Sequence, residues 1–216
     1  MSPGSRRPLK TRERGWARVL AAWLAARGVR PNAVSIASLL FGALAGACLW
    51  LSLGREGETS GLLLLAAAGL VQLRLLCNLL DGLIAVEGGF GSPEGEIYND
   101  LPDRVADSVI FVGAGLALRV LPYGMTLGWV AAVAALLTAY VRVLGGALGL
   151  PQDFVGPMAK QHRMFAVTLG CVLAAVESRF GRPPRLLYVA LGVVALGSVV
   201  TAARRTARIA RALRAR

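Results

Sequence analysis

The sequence predicts an all-α integral membrane protein with six transmembrane helices and an N-terminal amphipathic interfacial helix. Of its 216 residues, 56% are hydrophobic, and the mean hydropathy of +0.60 is well above that of an ordinary soluble domain. The apolar residues come in long runs separated by short polar turns. The length accommodates about six spans of roughly 20 residues each, so no large soluble domain fits beside them.

The basic residues predict how the spans are oriented. A net charge of +12 would suggest nucleic acid in a soluble protein, but these residues lie mostly at the two ends, outside the apolar runs. That pattern predicts contact with anionic lipid and no nucleic-acid partner. Because most basic residues fall on the side of the termini, the positive-inside rule predicts that both termini are cytoplasmic. The opposite side carries Arg55, Arg119, Arg179, Arg182 and Arg185.

The first 32 residues form a basic arm and an amphipathic helix. Residues 11–27 place Trp16, Leu20 and Trp23 on one helical face with several arginines nearby, as expected for a helix lying at the cytoplasmic membrane surface. An exposed arm without membrane contact is the alternative. Pro31 and Asn32 then begin the first span, predicted at about 33–53.

Short polar or Gly-rich segments separate the remaining spans. These are predicted at about 61–86, 97–119, 124–147, 164–177 and 186–203. The fifth run is too short to cross a bilayer, so we expect its helix to begin before Arg163. The membrane domain therefore covers 33–203, and a basic cytoplasmic tail follows at 204–216. Gln72, Arg74 and Asn78 interrupt the second run and must face protein, water or ligand.

Acidic residues concentrate between the second and third spans. Seven of the 12 lie within residues 78–107, and charge beside hydrocarbon usually marks a site for an ion, a substrate or protons. Asn78 and Asp81 share one helical face, and Asn99, Asp103 and Asp107 share another. Brought together, these faces form an oxygen-only cluster, the ligand set that Mg²⁺, Mn²⁺ or Ca²⁺ prefers.

Small residues extend the face of the second span beyond Asp81. Gly82 and Ala85 lack bulk, so a flat ligand such as a nucleotide base could approach the backbone there. The alternative is structural: the carboxylates cap helices or form ion pairs with Arg74, Arg104 and Arg142.

The same segment resembles the signature of the CDP-alcohol phosphatidyltransferase family, D-x2-D-G-x2-A-R-x8-G-x3-D-x3-D. Five of its eight residues and all of its spacings agree. The ungapped frame reads Asn78, Asp81, Gly82, Ala85, Val86, Gly95, Asn99 and Asp103. The Pro-Asn start of the first span, the six-span architecture, and the segments AYVR and GPMAKQHR are also similar to that family.

The resemblance implies a role for each matched position. One or two Mg²⁺ or Mn²⁺ ions would hold the CDP pyrophosphate, and Asp103 would act as the general base for the acceptor hydroxyl. The implied metal ligands are Asn78, Asp81, Asn99 and Asp103. The implied nucleotide-binding residues are Asp81, Gly82, Ala85 and Gly95.

Other polar residues are implied around this centre. An acceptor phosphate or a lipid phosphate would bind to Arg142, Lys160, His162 and Arg163. The alternative is that these residues only anchor the cytoplasmic side by the positive-inside rule, and that His162 is a surface residue without a role in the site. Glu87, Asp100 and Asp107 would compensate for the charge missing at the two asparagines without holding the metal themselves. A second frame, with Asp103 and Asp107 as the final pair, requires a four-residue insertion.

The resemblance implies a membrane phosphatidyltransferase of phospholipid biosynthesis. Such an enzyme transfers a phosphatidyl or related group from a CDP-alcohol, here expected to be CDP-diacylglycerol, to a small polar hydroxyl acceptor and releases CMP. We expect it in a bacterial inner (cytoplasmic) membrane, with the active site facing the cytoplasm, and the resemblance implies a homodimer. One alternative is a silent family member that binds nucleotide or lipid. Another is a small transporter, although no internal repeat supports it.

Overall fold

The computed structural model describes residues 15–55, 57–90 and 95–216. The basic arm up to residue 14 and part of the Gly-rich connection lie outside this description, as do the side chains of Glu87 and Glu96. The expectations for the arm and for Glu87 therefore concern features outside the described residues.

Seven helices make up the described chain. They are α1 (Gly15–Ala26), α2 (Pro31–Leu51), α3 (Gly57–Glu87), α4 (Gly95–Ala117), α5 (Gly124–Ala147), α6 (Lys160–Arg179) and α7 (Arg185–Arg214). The fourth predicted span matches α5 at both ends, and α6 begins before Arg163 as expected. Helix α7 continues without a break through most of the predicted tail, because this basic segment is rich in the helix formers Ala and Arg.

Four of the described helices are long and apolar enough to cross a membrane. They are Pro31–Leu51, Gly57–Val86, Gly124–Ala147 and Arg185–Arg214. Helices α4 and α6 do not meet the same criterion, since α4 carries several charged residues in its first half and polar residues at both ends of α6 shorten its apolar stretch. The secondary structure of the described residues is thus all-helical, with apolar helices suited to a membrane.

The six longer helices form a closed ring of contacts. Helix α2 packs against α3 and α4, α4 against α5, and α5 against α7, while α6 joins α7 to α3. The larger apolar core fills this ring and includes Leu49, Phe111, Met164 and Leu191. Polar groups carried by different helices can therefore meet inside the ring, where little solvent reaches them.

Glycines allow two of these contacts to be unusually close. A Cβ at Gly113 of α4 would lie 2.6 Å from the carbonyl oxygen of Gly46 in α2. A Cβ at Gly115 would lie 2.7 Å from Cα of Gly128 in α5. Helix α4 therefore meets both neighbours backbone to backbone, as small residues permit in membrane helices.

Helix α1 lies outside the ring and packs on α3. Its buried face consists of Ala17 and Ala21, which join a second apolar cluster with Leu80 and Ile84. Trp16 and Trp23 remain 51% and 47% exposed. Helix α1 therefore packs on the protein through its alanines and leaves about half of each tryptophan exposed.

Candidate functional site

A cavity of about 850 Å³ opens at one end of the helix ring. The beginnings of α2, α4 and α6 and the ends of α3 and α5 line it, together with the 152–154 segment and Arg205 of α7. The structure brings most of the predicted site residues to this one cavity. Those that line it are Asn78, Asp81, Gly82, Ala85, Gly95, Asn99, Asp100, Asp103, Arg142, Lys160 and Arg163.

The two carboxylate oxygens of Asp81 differ in their hydrogen bonding. Its Oδ2 accepts a hydrogen bond of 2.8 Å from the Ser35 hydroxyl. Its Oδ1 is buried and has no hydrogen-bond partner among the described residues, and the residue is only 3% exposed. A buried carboxylate oxygen without a partner is costly, so it marks a position where a cationic ligand would be stabilising.

Asp103 is held by three side chains. Its Oδ1 accepts hydrogen bonds from Asn78 Nδ2 at 2.6 Å and from Arg74 Nη2 at 3.1 Å. The same Arg74 nitrogen donates to the Asp103 backbone carbonyl at 3.1 Å, and the Lys160 ammonium group contacts Oδ2. Asp103 therefore lies within the cavity wall with both carboxylate oxygens engaged.

Asp107 lies behind the cavity lining, one helical turn beyond Asp103. It is 2% exposed, and its oxygens lie 2.7 Å from Arg74 Nη2 and 3.4 Å from Arg163 Nη2. Of the two aspartates in competing sequence frames, Asp103 is the one that lines the cavity.

A second ion-pair group forms the opposite part of the lining. Asp100 Oδ1 accepts from Arg104 Nη2 at 3.0 Å and from Arg142 Nη2 at 2.6 Å, and the Arg142 guanidinium lies 5.4 Å from the Phe154 ring centroid. The sequence left open the alternative that these carboxylates form ion pairs with basic residues. Such ion pairs are present at Asp100, Asp103 and Asp107.

Arg163 and Arg205 make the basic side of the cavity rigid. Arg163 Nη1 donates to Thr138 Oγ1 at 3.0 Å and to the Met158 carbonyl at 2.9 Å. Arg205 donates to the carbonyls of Val155 and Thr138 at 3.0 and 2.8 Å. Together these contacts tie the 151–159 loop to α5 and α7, so the loop holds a defined position over the cavity.

His162 differs from the other predicted acceptor-binding residues. Its side chain is exposed, its Nδ1 lies 3.0 Å from the Pro157 carbonyl oxygen, and it does not belong to the cavity lining. The structure therefore does not bring it together with Lys160 and Arg163, because adjacent positions on a helix point in different directions.

Sequence reasoning missed the contribution of α2. Ser35 and Ser38 donate to Asp81 Oδ2 and Asn78 Oδ1 at 2.8 and 2.6 Å. The available signal was two hydroxyls three residues apart, on one face of an otherwise apolar helix. The sequence also did not indicate that Lys160 contacts Asp103, or that Arg205 reaches the cavity from α7.

The donors at this centre are a mixture of carboxylates and amides. Within the described residues, no group of three or more His, Cys, Asp and Glu side chains is placed to share a metal ion. Asp81, Asn99 and Asp103 nevertheless line one cavity, and oxygen is the donor type that Mg²⁺ and Mn²⁺ prefer. The donor type of these residues therefore suits a divalent cation.

Comparison with known proteins identifies similar sequences. The chain is 28% identical to the phosphatidylinositol phosphate synthase of Streptomyces avermitilis over 205 residues, which cover 88% of this chain and 76% of the relative. It is 30% identical to the Mycobacterium marinum protein of the same name over 192 residues, covering 86% and 76%. No protein-family model matches the chain.

Comparison with solved structures identifies the same fold. A crystal structure of Mycobacterium tuberculosis phosphatidylinositol phosphate synthase, in complex with manganese and citrate, matches with a TM-score of 0.74 and 22% identity, covering 89% of this chain and 88% of that one. The structure of that protein with CDP-DAG bound also has a TM-score of 0.74, covering 89% and 92%. The helix ring is therefore shared with these proteins.

Proposed function

The chain belongs to the same family as the phosphatidylinositol phosphate synthases, the CDP-alcohol phosphatidyltransferases, and we propose that it transfers a phosphatidyl group from CDP-diacylglycerol to a small polar acceptor. The products are a phospholipid and CMP. The observation that carries this proposal is the single cavity that gathers the matched residues of α3 and α4. The fold shared with a CDP-DAG-bound protein supports it.

The metal position is proposed around Asp81, with Asn99 and Asp103 in the same cavity. The unpartnered buried Oδ1 of Asp81 supports this position, as does the manganese in a relative of the same fold. When bound, a divalent cation offsets the charge of the pyrophosphate and of the departing CMP. Gly82, Ala85 and Gly95 also line the cavity, and their small size leaves room for the nucleotide along α3.

Asp103 is the proposed proton acceptor. Its Oδ1 is held by Arg74 and Asn78, whereas the one side-chain contact described at Oδ2 comes from Lys160. A phosphate on the acceptor would compete for the Lys160 ammonium group and leave Oδ2 facing the acceptor hydroxyl. The hydroxyl proton then passes to Oδ2 as the new oxygen–phosphorus bond forms and the phosphorus–oxygen bond to CMP breaks in line.

The acceptor is proposed to be a phosphorylated polyol such as inositol phosphate. The names of the similar proteins support this choice, as does the basic side of the cavity. Arg142, Lys160 and Arg163 all line it, and guanidinium and ammonium groups are suited to phosphate recognition. His162 is left out of this proposal because of its exposed position.

Six spans, formed by α2 to α7, are proposed for the membrane-embedded chain. The closed ring supports this count, since α4 and α6 occupy places in it equal to those of the more apolar helices. Both termini and the cavity would then face the cytoplasm of a bacterial cell, where Arg18 of α1 and the arginines at the end of α7 contact anionic lipid.

The test is release of CMP by the purified chain. We expect release with CDP-diacylglycerol, Mg²⁺ or Mn²⁺ and inositol phosphate, and none from Asp81→Asn or Asp103→Asn. Glu177→Gln is the matched control, because Glu177 lies at the far end of α6 and accepts from the Leu186 amide, which an amide oxygen can also do. A chain that binds the CDP-lipid but releases no CMP with any acceptor would instead be a silent binding protein.

A further inference from the structure

We propose that Arg74 and Lys160 take the place of a second divalent cation in the resting protein, so that the site holds one metal ion, at Asp81. This inference rests on the proposed function and concerns how many ions that function uses. It follows from the contacts of Asp103, from the orientation of Asn78 and from the charge of the cluster.

Both carboxylate oxygens of Asp103 already have partners within the protein. A carboxylate binds metal ions through one or both of its oxygens, and each such oxygen must be free of competing cations. Here Oδ1 accepts from Asn78 and Arg74, and Oδ2 contacts the Lys160 ammonium group. Arg74 is completely buried and also lies 2.7 Å from Asp107. Before substrate binds, two cations of the chain therefore already neutralise this side of the site.

The Asn78 amide is oriented by its two hydrogen-bond partners. The Ser38 hydroxyl donates to Oδ1 at 2.6 Å, and Nδ2 lies 2.6 Å from Asp103 Oδ1. With the amide reversed, its oxygen would face the carboxylate oxygen at the same short distance, and the two would repel each other. Asn78 therefore acts as a hydrogen-bond donor that holds Asp103, and its oxygen is already used by Ser38.

The charges of the carboxylate cluster are already balanced by basic side chains. Three carboxylates, Asp81, Asp103 and Asp107, lie among three cations, Arg74, Lys160 and Arg163. One divalent ion at the free oxygen of Asp81 is matched by the pyrophosphate of the donor lipid. A second would add two positive charges to a buried and already neutral group, which is strongly unfavourable without further carboxylates.

The experiment counts Mn²⁺ bound to the purified full-length chain in detergent, from the electron paramagnetic resonance signal of free Mn²⁺, with CDP-diacylglycerol present and no acceptor, after subtracting the Mn²⁺ that the lipid binds alone. Wild type should saturate at one ion per chain, and Asp81→Asn should bind at least tenfold more weakly. A double variant, Asn78→Asp with Lys160→Met, should gain a second ion, because two carboxylates then face each other without the lysine between them. Glu177→Gln should match wild type.

Two bound ions in wild type would overturn the inference and leave the proposed function intact. No bound ion would contradict the metal-dependent function, and the inference with it. A folded double variant with the count and affinity of wild type would also overturn the inference. Thermal unfolding followed by tryptophan fluorescence reports whether the variant is folded, and if it is not, the wild-type count decides.

Discussion

The Ser38 hydroxyl donates a hydrogen bond of 2.6 Å to Oδ1 of Asn78. This contact joins α2 to α3, and it engages the amide oxygen while the amide nitrogen donates to Asp103 Oδ1 at 2.6 Å. A hydroxyl on an apolar helix thus helps to hold a polar side chain of the neighbouring helix in place.

Replacing Ser38 with alanine should loosen Asn78 and, through it, Asp103. We expect a loss of about 1 kcal/mol in the free energy of unfolding and roughly a tenfold lower rate of CMP release, as is common when a supporting hydrogen bond at a metal site is lost. Ser198→Ala is the matched control, since the Ser198 hydroxyl is buried without a hydrogen-bond partner among the described residues. Equal effects of the two changes would contradict the assigned role.

Arg74→Met should be among the most destabilising single changes in the chain. It leaves Asp103 and Asp107 buried without their shared cation, and breaking a buried ion pair in this way costs about 3–5 kcal/mol. Thermal or denaturant unfolding in detergent measures the loss. Adding Asp107→Asn should recover part of it, whereas Arg119→Met, at an exposed turn position, should change the stability little.

Gly128→Ala should force α4 and α5 apart. A Cβ there would lie 2.6 Å from Gly115 Cα and 2.8 Å from the Phe111 carbonyl oxygen, and overpacking of this kind costs about 1–3 kcal/mol. Gly69→Ala has nothing within 4 Å of its added Cβ, so its better helix propensity should give a gain of up to about 1 kcal/mol. The same sign for both variants would count against the close contact.

Arg142→Gln should weaken acceptor binding more than donor binding. Arg142 pairs with Asp100 at the cavity edge, where its charge is available to an acceptor phosphate, and loss of a charge-assisted contact is worth about tenfold in KM. Steady-state kinetics of CMP release separate the two KM values. Asp100→Asn should instead lower the KM for the acceptor, because it removes the carboxylate that competes with the phosphate for Arg142 and keeps the Arg142 charge.

The proposed topology predicts opposite labelling of two positions. In a variant without the native cysteines, Ala215→Cys should react with a membrane-impermeant maleimide only from the cytoplasmic side. Arg182→Cys, in the turn between α6 and α7, should react only from the other side. Reaction of both from one side would contradict six spans with cytoplasmic termini.

The helices and the position of the site were largely predictable from the sequence. Long apolar runs determine where helices form, because backbone groups in hydrocarbon must be satisfied within the segment itself. Residues three or four apart share a helical face, so the pairing of Asn78 with Asp81 and of Asn99 with Asp103 follows from spacing alone. The fourth span was predicted at the bounds of α5, and α6 begins before Arg163 as its short apolar run required.

Which carboxylates are neutralised was decided only by the tertiary structure. Asp81 and Asp103 occupy equivalent places in the sequence pattern, yet Asp103 is surrounded by Arg74, Asn78 and Lys160. Asp81 accepts from Ser35 through one oxygen, and its other oxygen has no hydrogen-bond partner in the described part of the chain. Lys160 lies 57 positions from Asp103, and Ser35 lies 46 positions from Asp81. Helical spacing relates only near neighbours. Only packing of the helices into the closed ring brings these distant groups together. As a result, Oδ1 of Asp81 is the carboxylate oxygen that remains open to a cation.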